Sequence, residues 1–257
     1  MPDSRSPSPW PSRLWIVRHG QSAGNVARDA AHAAGLGRID LATRDVDVTL
    51  SELGHEQASA LGDWFAAMPA EERPEVVLTS PYLRARQTAE AVRAAGGLAL
   101  PDEPFCIDER LREREFGILD RLTSLGIREL HPDQAEARSV IGKFYHRPPG
   151  GESWCDVILR LRSALDTLSL HHADKRVLIV GHQVVVLCLR YLLERHDEAG
   201  VLAIDAEGDV ANCGLTEYRQ AAPPLTGLEL VRYNFTAPLK QAGAPVTAAP
   251  DMSPAAR

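Results

Sequence analysis

Two rhythms of apolar residues alternate along this chain. Residues 14–17 (LWIV), Val76–Thr79 and residues 176–180 (RVLIV) are short apolar or β-branched runs, the pattern of strands buried on both faces. Each is followed by a longer stretch with helical spacing. Residues 22–34 are Ala-rich, and a helix opened by Ser51 carries Leu53, Ala58, Leu61, Trp64 and Phe65 to about Met68, ahead of Pro69. Ser80-Pro81 reads as an N-cap with proline at the first helical position. Ser153 with Asp156 opens a helix through about Leu170 that bears Val157, Leu161, Ala164, Leu165 and Leu168 on one side. A further helix over 184–194 and late strands over 214–219 and 228–233 complete the pattern. Strand–helix alternation of this kind predicts an α/β fold, with a mostly parallel central sheet and helices on both faces.

Residues 35–48 and 118–150 are expected to be loops, and residues 1–12 and 237–257 to be disordered tails, because neither tail has hydrophobic periodicity. No internal repeat or low-complexity linker divides the span between the tails, so 13–236 is expected to be a single domain.

Composition narrows the function classes. The chain has 257 residues, 44% hydrophobic and 25% charged, which suits an ordinary folded protein. A formal charge of −7 repels phosphate backbones and anionic lipid, so neither a nucleic-acid nor a membrane partner is expected. Any phosphate site must be local. Cys106, Cys155, Cys188 and Cys213 form no CxxC pair, which points away from a zinc cage or disulfide framework and towards a reducing cytoplasm. No apolar stretch approaches a membrane span, and Asn234-Phe235-Thr236 carries no weight as a glycosylation acceptor in a cytoplasmic chain.

Polar residues gather where strands end and helices begin. Arg18-His19-Gly20 follows the first strand, Ser80 to Arg84 the second, and Gly181-His182-Gln183 a later one. Ligands of open α/β sheets bind at the carboxyl ends of strands. If these strands are neighbours, Arg18, His19, Arg84 and His182 converge with helix N-termini on one anion-binding pocket. Other candidates lose weight. His171 and His172 project about 100° apart on a helix, cannot easily share a metal ion, and are read as exposed. His146 is read as loop surface. Gly35-Leu36-Gly37 lacks the third glycine of a dinucleotide fingerprint, and no GxxxxGK[ST] occurs.

Taken in order, Arg18-His19-Gly20-Gln21-Ser22 with Asn25, Ser80-Pro81 with Arg84-Ala85-Arg86-Gln87-Thr88-Ala89, Leu111-Arg112-Glu113-Arg114-Glu115-Phe116-Gly117, Gly150-Gly151-Glu152-Ser153 and Gly181-His182 resemble the histidine phosphatase superfamily, in its phosphoglycerate-mutase-like branch. The resemblance spans residues 14 to about 216 and implies a phosphoglycerate-mutase-like fold. It implies that His19 is a nucleophile forming a phosphohistidine. Arg18, Arg84 and His182 would hold the phosphoryl oxygens, with Asn25 and Gln183 beside them, and Glu113 would be the general acid and base. No cofactor or metal is implied.

These roles make physical sense. An imidazole must be neutral to attack phosphorus, and flanking guanidinium groups disfavour its protonated form. Fixed cationic donors stabilise the charge that a phosphoryl group keeps on its equatorial oxygens, and arginine supplies it through a planar fork. Glu113 must alternate between protonation states. The charge-rich run ERLRERE offers Glu109 and Glu115 as rivals, and only the family pattern selects Glu113.

The expected activity is hydrolysis of a small phosphomonoester, with phosphoglycerate mutase as the alternative. A phospholigand-binding protein without turnover is a weaker third reading, since nucleophile and acid are both present. Mutases of the family carry a tyrosine where Phe116 stands, a lysine near the position of Ser124, and a longer insertion before the second histidine. The stretch 181–189 (GHQVVVLCL) also resembles fructose-2,6-bisphosphatase domains, which by itself assigns no substrate. The partner expected is a small-molecule phosphate ester, with a homodimer left open.

Overall fold

In the computed structural model, which describes residues 9–222 and 227–248, one six-stranded sheet runs through the molecule in the order β3-β2-β4-β1-β5-β6. The strands are β1 (Arg13–Arg18), β2 (Val76–Thr79), β3 (Cys106–Ile107), β4 (Arg176–Gly181), β5 (Leu215–Gln220) and β6 (Leu228–Phe235). β1, β2, β3 and β4 are mutually parallel. β5 joins antiparallel to β1, and β6 antiparallel to β5.

The helices are α1 (Ala23–Ala33), α2 (Glu52–Ala66), α3 (Leu83–Ala94), α4 (Ser124–Leu130), α5 (Pro132–Ile141), α6 (Trp154–His171), α7 (Gln183–Leu193), α8 (Glu198–Glu207) and α9 (Ala237–Ala242). None of the described helices is long and apolar enough to cross a membrane.

The uninterrupted apolar runs of β1 and β4 serve two cores at once. Successive strand residues point to opposite faces. Leu14, Ile16, Val177 and Ile179 join α6 and α7 on one side, with Trp154, Leu161, Leu165, Val185 and Leu189. Trp15, Val17, Leu178 and Val180 join α2 and α3 on the other, with Leu61, Phe65, Ala89 and Val92. Trp15 meets Phe65 edge to face at 5.3 Å, a geometry that adds to simple area burial. Ser153 and Asp156 form the expected capping box at the start of α6.

Several local expectations need correction. The helix after β2 is capped at Tyr82 rather than Ser80. The Ser80 hydroxyl instead accepts from the Tyr82 amide at 3.3 Å and meets His182, so it serves a turn and the site. The 118–150 stretch contains α4 and α5, and residues 35–48 include a short 3₁₀ turn, Asp45–Asp47. His146 is buried rather than on a loop surface, and its backbone carbonyl accepts from Arg114 at 3.2 Å.

Residues 1–8 and 249–257 of the expected tails lie outside the described residues. Residues 9–12 and 237–248 are built into the fold. Trp10 packs on the α6–α7 core, and its carbonyl accepts from the Asp174 amide at 3.0 Å. α9 buries Leu239 completely in the α2–α3 core. Two adjacent buried residues, Pro238 and Leu239, in a short helix leave no periodicity to detect. Leu239→Ala is expected to cost about 3 kcal/mol and lower Tm by roughly 6–12 °C. A thermal melt that hardly moves would show that α9 adds nothing to the core.

Candidate active site

The site follows from strand register. In the parallel pair β1–β4, Arg18 stands opposite Gly181, so the residues that follow them, His19 and His182, leave the sheet at the same level. The His19 amide continues the ladder onto the Gly181 carbonyl at 2.9 Å. Their rings lie edge to face with centroids 5.2 Å apart. β2 flanks β4 on its other side with Thr79 opposite Val180, which brings Ser80 to the same sheet end. The Ser80 hydroxyl shares a 2.8 Å hydrogen bond with His182 Nε2.

His19 is held in one tautomer by two contacts of opposite polarity. Its Nδ1 lies 2.6 Å from the Gly20 carbonyl oxygen, which can only accept. Its Nε2 lies 3.2 Å from Arg84 Nε, which can only donate. Both are satisfied when the ring is neutral, with the proton on Nδ1 and the lone pair on Nε2. The backbone around this ring is tightly built. A Cβ on Gly20 would sit 2.4 Å from the Gly54 carbonyl oxygen, so the first turn of α2 closes directly on the loop after β1. The Gly20 amide donates to the Thr88 hydroxyl of α3 at 3.0 Å.

Glu113, 1% exposed, places Oε2 3.8 Å from His182 Nδ1, and its Oε1 accepts from the Arg114 amide at 2.8 Å. Glu109 and Glu115 are exposed, and Glu115 accepts from the Tyr82 hydroxyl at 3.0 Å. Among the three carboxylates of that run, Glu113 is thus the buried one beside the second histidine.

The adjacent Arg114 directs its guanidinium to the carbonyls of Glu152 and His146. Burial, helped by the nearby Arg138, pulls its pKa down to about 10. Glu152 is bound by Arg112 and Arg160. Arg160 also donates to the Glu113 carbonyl at 3.3 Å, which ties the acidic loop to α6.

The remaining residues singled out in the sequence are buried here too. Arg18 donates through Nη1 to the Val210 carbonyl at 2.6 Å. Asn25 forms a capping box with Ser22 at the start of α1. Gln183 donates from Nε2 to Asp209 Oδ1 at 2.7 Å.

Three residues of the site carry no sequence signal of their own. Tyr82 sets its ring 5.1 Å from that of His182 and 4.9 Å from the Arg84 guanidinium carbon. Burial, with Glu115 and Asp45 adding to it, pushes its phenol well up, so it stays a donor. Asn212 donates to the His19 carbonyl at 3.1 Å, and accepts from the Thr247 hydroxyl at 2.9 Å, so the chain beyond α9 braces the loop carrying His19. Asp45 pairs with Arg84 at 3.0 Å. Asp45 and Asn212 come from distant parts of the chain, where only folding makes them neighbours of the site, whereas Tyr82 stands two positions before Arg84.

A model of the histidine phosphatase superfamily (branch 1) matches residues 14–222. The chain is 34% identical over 187 residues to the Caenorhabditis elegans 6-phosphofructo-2-kinase/fructose-2,6-bisphosphatase. That alignment covers 72% of this chain and 35% of that protein, so the chain spans about a third of the length of such curated relatives. Among solved structures, the mycobacterial glucosyl-3-phosphoglycerate phosphatase in complex with VO3 superposes with a TM-score of 0.63 at 25% identity, covering 87% of this chain and 99% of that one. Bacillus stearothermophilus YhfR superposes with a TM-score of 0.66 at 26% identity, covering 85% and 95%. The chain belongs to the histidine phosphatase superfamily.

The tautomer of His19 is open to direct measurement. At neutral pH, long-range ¹H–¹⁵N correlation of the imidazoles is expected to show His19 protonated on Nδ1 and bare on Nε2. A spectrum with the proton on Nε2 would contradict the contacts to Gly20 and Arg84.

Proposed function

We propose that this protein is a phosphatase that hydrolyses a small phosphomonoester through a phosphohistidine on His19. The observation that carries the reading is the pair of contacts that sets the His19 ring with its proton on Nδ1 and turns the Nε2 lone pair to the Arg84 guanidinium. Relatives named as phosphatases support the reaction class.

In the first step the Nε2 lone pair attacks phosphorus and the P–O bond to the alcohol breaks. Glu113, buried beside His182, gives its proton to the departing oxygen. In the second step a water attacks the phosphohistidine, Glu113 takes the water's proton, and inorganic phosphate leaves with His19 restored. Arg84, Arg18 and His182 hold the equatorial oxygens, whose charge persists through both transition states. On this reading Asn25 and Gln183 serve the phosphate site from the starts of α1 and α7. As phosphorus arrives, Arg84 Nε keeps its proton and turns its hydrogen bond from the attacking nitrogen to a phosphoryl oxygen.

Purified protein is expected to hydrolyse p-nitrophenyl phosphate, and His19→Ala to lower the rate by more than about 10³-fold while the fold is kept. Unchanged hydrolysis in that variant removes the mechanism. Glu113→Gln is expected to slow alkyl esters by about 10²–10⁴-fold. It should slow p-nitrophenyl phosphate less, because that leaving group needs little protonation. Incubation with 3-phosphoglycerate separates the phosphatase from a mutase, since rapid appearance of 2-phosphoglycerate with little inorganic phosphate would favour the mutase.

A further inference from the structure

Arg84 is gripped from its outer side. Its Nη1 donates to the Asp45 backbone carbonyl at 2.7 Å and to Asp45 Oδ1 at 3.0 Å, and its Nη2 reaches Asp45 Oδ2 at 3.3 Å. With Nε on His19, the guanidinium lies between the proposed nucleophile and a carboxylate delivered by the 3₁₀ turn Asp45–Asp47. The His19 ring is fully buried, and its Nε2 rests on the same guanidinium that Asp45 grips.

Asp45 also faces a cavity next to Arg84, with Ile39, Leu41, Asp120 and Arg121 in its wall. Asp120 is the second carboxyl group there. Burial raises its pKa first, and the neighbouring Asp45 raises it next. The one further cation in that wall, Arg121, is committed to the loop. Its guanidinium donates to the carbonyls of Leu41 at 2.9 Å and Thr43 at 3.0 Å, with Nε 3.7 Å from Asp120. A phosphoryl group on Arg84 therefore directs its alcohol half toward two carboxylates and an apolar floor of Ile39 and Leu41.

We infer that Asp45 is a specificity-determining residue which selects phosphomonoesters with an uncharged, hydroxyl-bearing alcohol half, and rejects those carrying a second carboxylate or phosphate. Hydroxyl donors satisfy the carboxylate oxygens, and C–H surface covers the aliphatic side chains. A second anion instead meets like charge in that wall, which is discrimination by repulsion. The inference rests on the phosphatase reading above, and it sets this chain apart from relatives whose names include acidic or doubly phosphorylated sugars.

The test compares sn-glycerol 1-phosphate with 3-phospho-D-glycerate, which share the arrangement at the central carbon and differ only in a hydroxymethyl group replaced by a carboxylate. Wild-type kcat/KM is expected to favour the glycerol ester by about 10-fold or more, with the preference shrinking as salt screens the wall. Asp45→Asn is expected to narrow the ratio at least about 3-fold. Asp120→Asn, which leaves the Arg84 contact in place, should narrow it in the same direction and stands in if Asp45→Asn fails to fold. A wild-type ratio near one, or a ratio that neither variant moves, overturns the assignment. Hydrolysis of p-nitrophenyl phosphate by the wild type reads the phosphatase proposal separately. If that activity is missing, calorimetric Kd values of the two glycerol-derived esters read the preference by the same criteria.

Discussion

The β1–β4 register is the constraint on which everything else in this molecule depends. Parallel pairing of Arg18 with Gly181 makes the next residue of each strand a histidine, and adjacent strands are separated by about 4.8 Å. A slip of one residue would turn every side chain of β1 to the opposite face. Leu14 and Ile16 would then lose the α6–α7 core, and Trp15 and Val17 the α2–α3 core. The hydrophobic cores therefore enforce the register, and the register enforces the 5.2 Å separation of the two imidazoles.

Around that pair the protein arranges charge in layers. The inner layer is His19 and Arg84, joined nitrogen to nitrogen, with His182 and Glu113 on the far side. The next layer holds these groups in place. Tyr82 packs against both His182 and Arg84, Ser80 bonds His182, and Asn212 bonds the backbone of His19. The outer layer is acidic, with Asp45 on Arg84 and Glu115 on Tyr82. Basic groups thus lie inside an acidic rim, in a chain whose overall charge is −7.

Much of this was legible in the sequence because the signals were local. Short apolar runs mark β1, β2 and β4, and Ser153 with Asp156 marks the start of α6. The clustering of Arg18, His19, Arg84 and His182 at strand ends followed from the α/β pattern alone. Selection of Glu113 over Glu109 and Glu115 did not. Within an alternating charge run nothing local separates the three, and burial beside His182 is what distinguishes Glu113. α9 and the residues after it left no trace for a similar reason, since Leu239 and Thr247 gain meaning only from what they touch.

By itself the amino-acid sequence determined the fold class and the strand–helix pairs built on β1, β2 and β4, but not β3, α4, α5, α8 or α9, since backbone propensity and hydrophobic period act over a few residues. Tertiary structure alone decided the partners of those residues. It assigned Asp45 to Arg84, Asn212 to His19 and Tyr82 to His182, and it chose which glutamate lies inside. Such pairings join segments up to nearly two hundred residues apart. Hydrogen bonding and desolvation act only at contact distance, so no property of either segment alone encodes them.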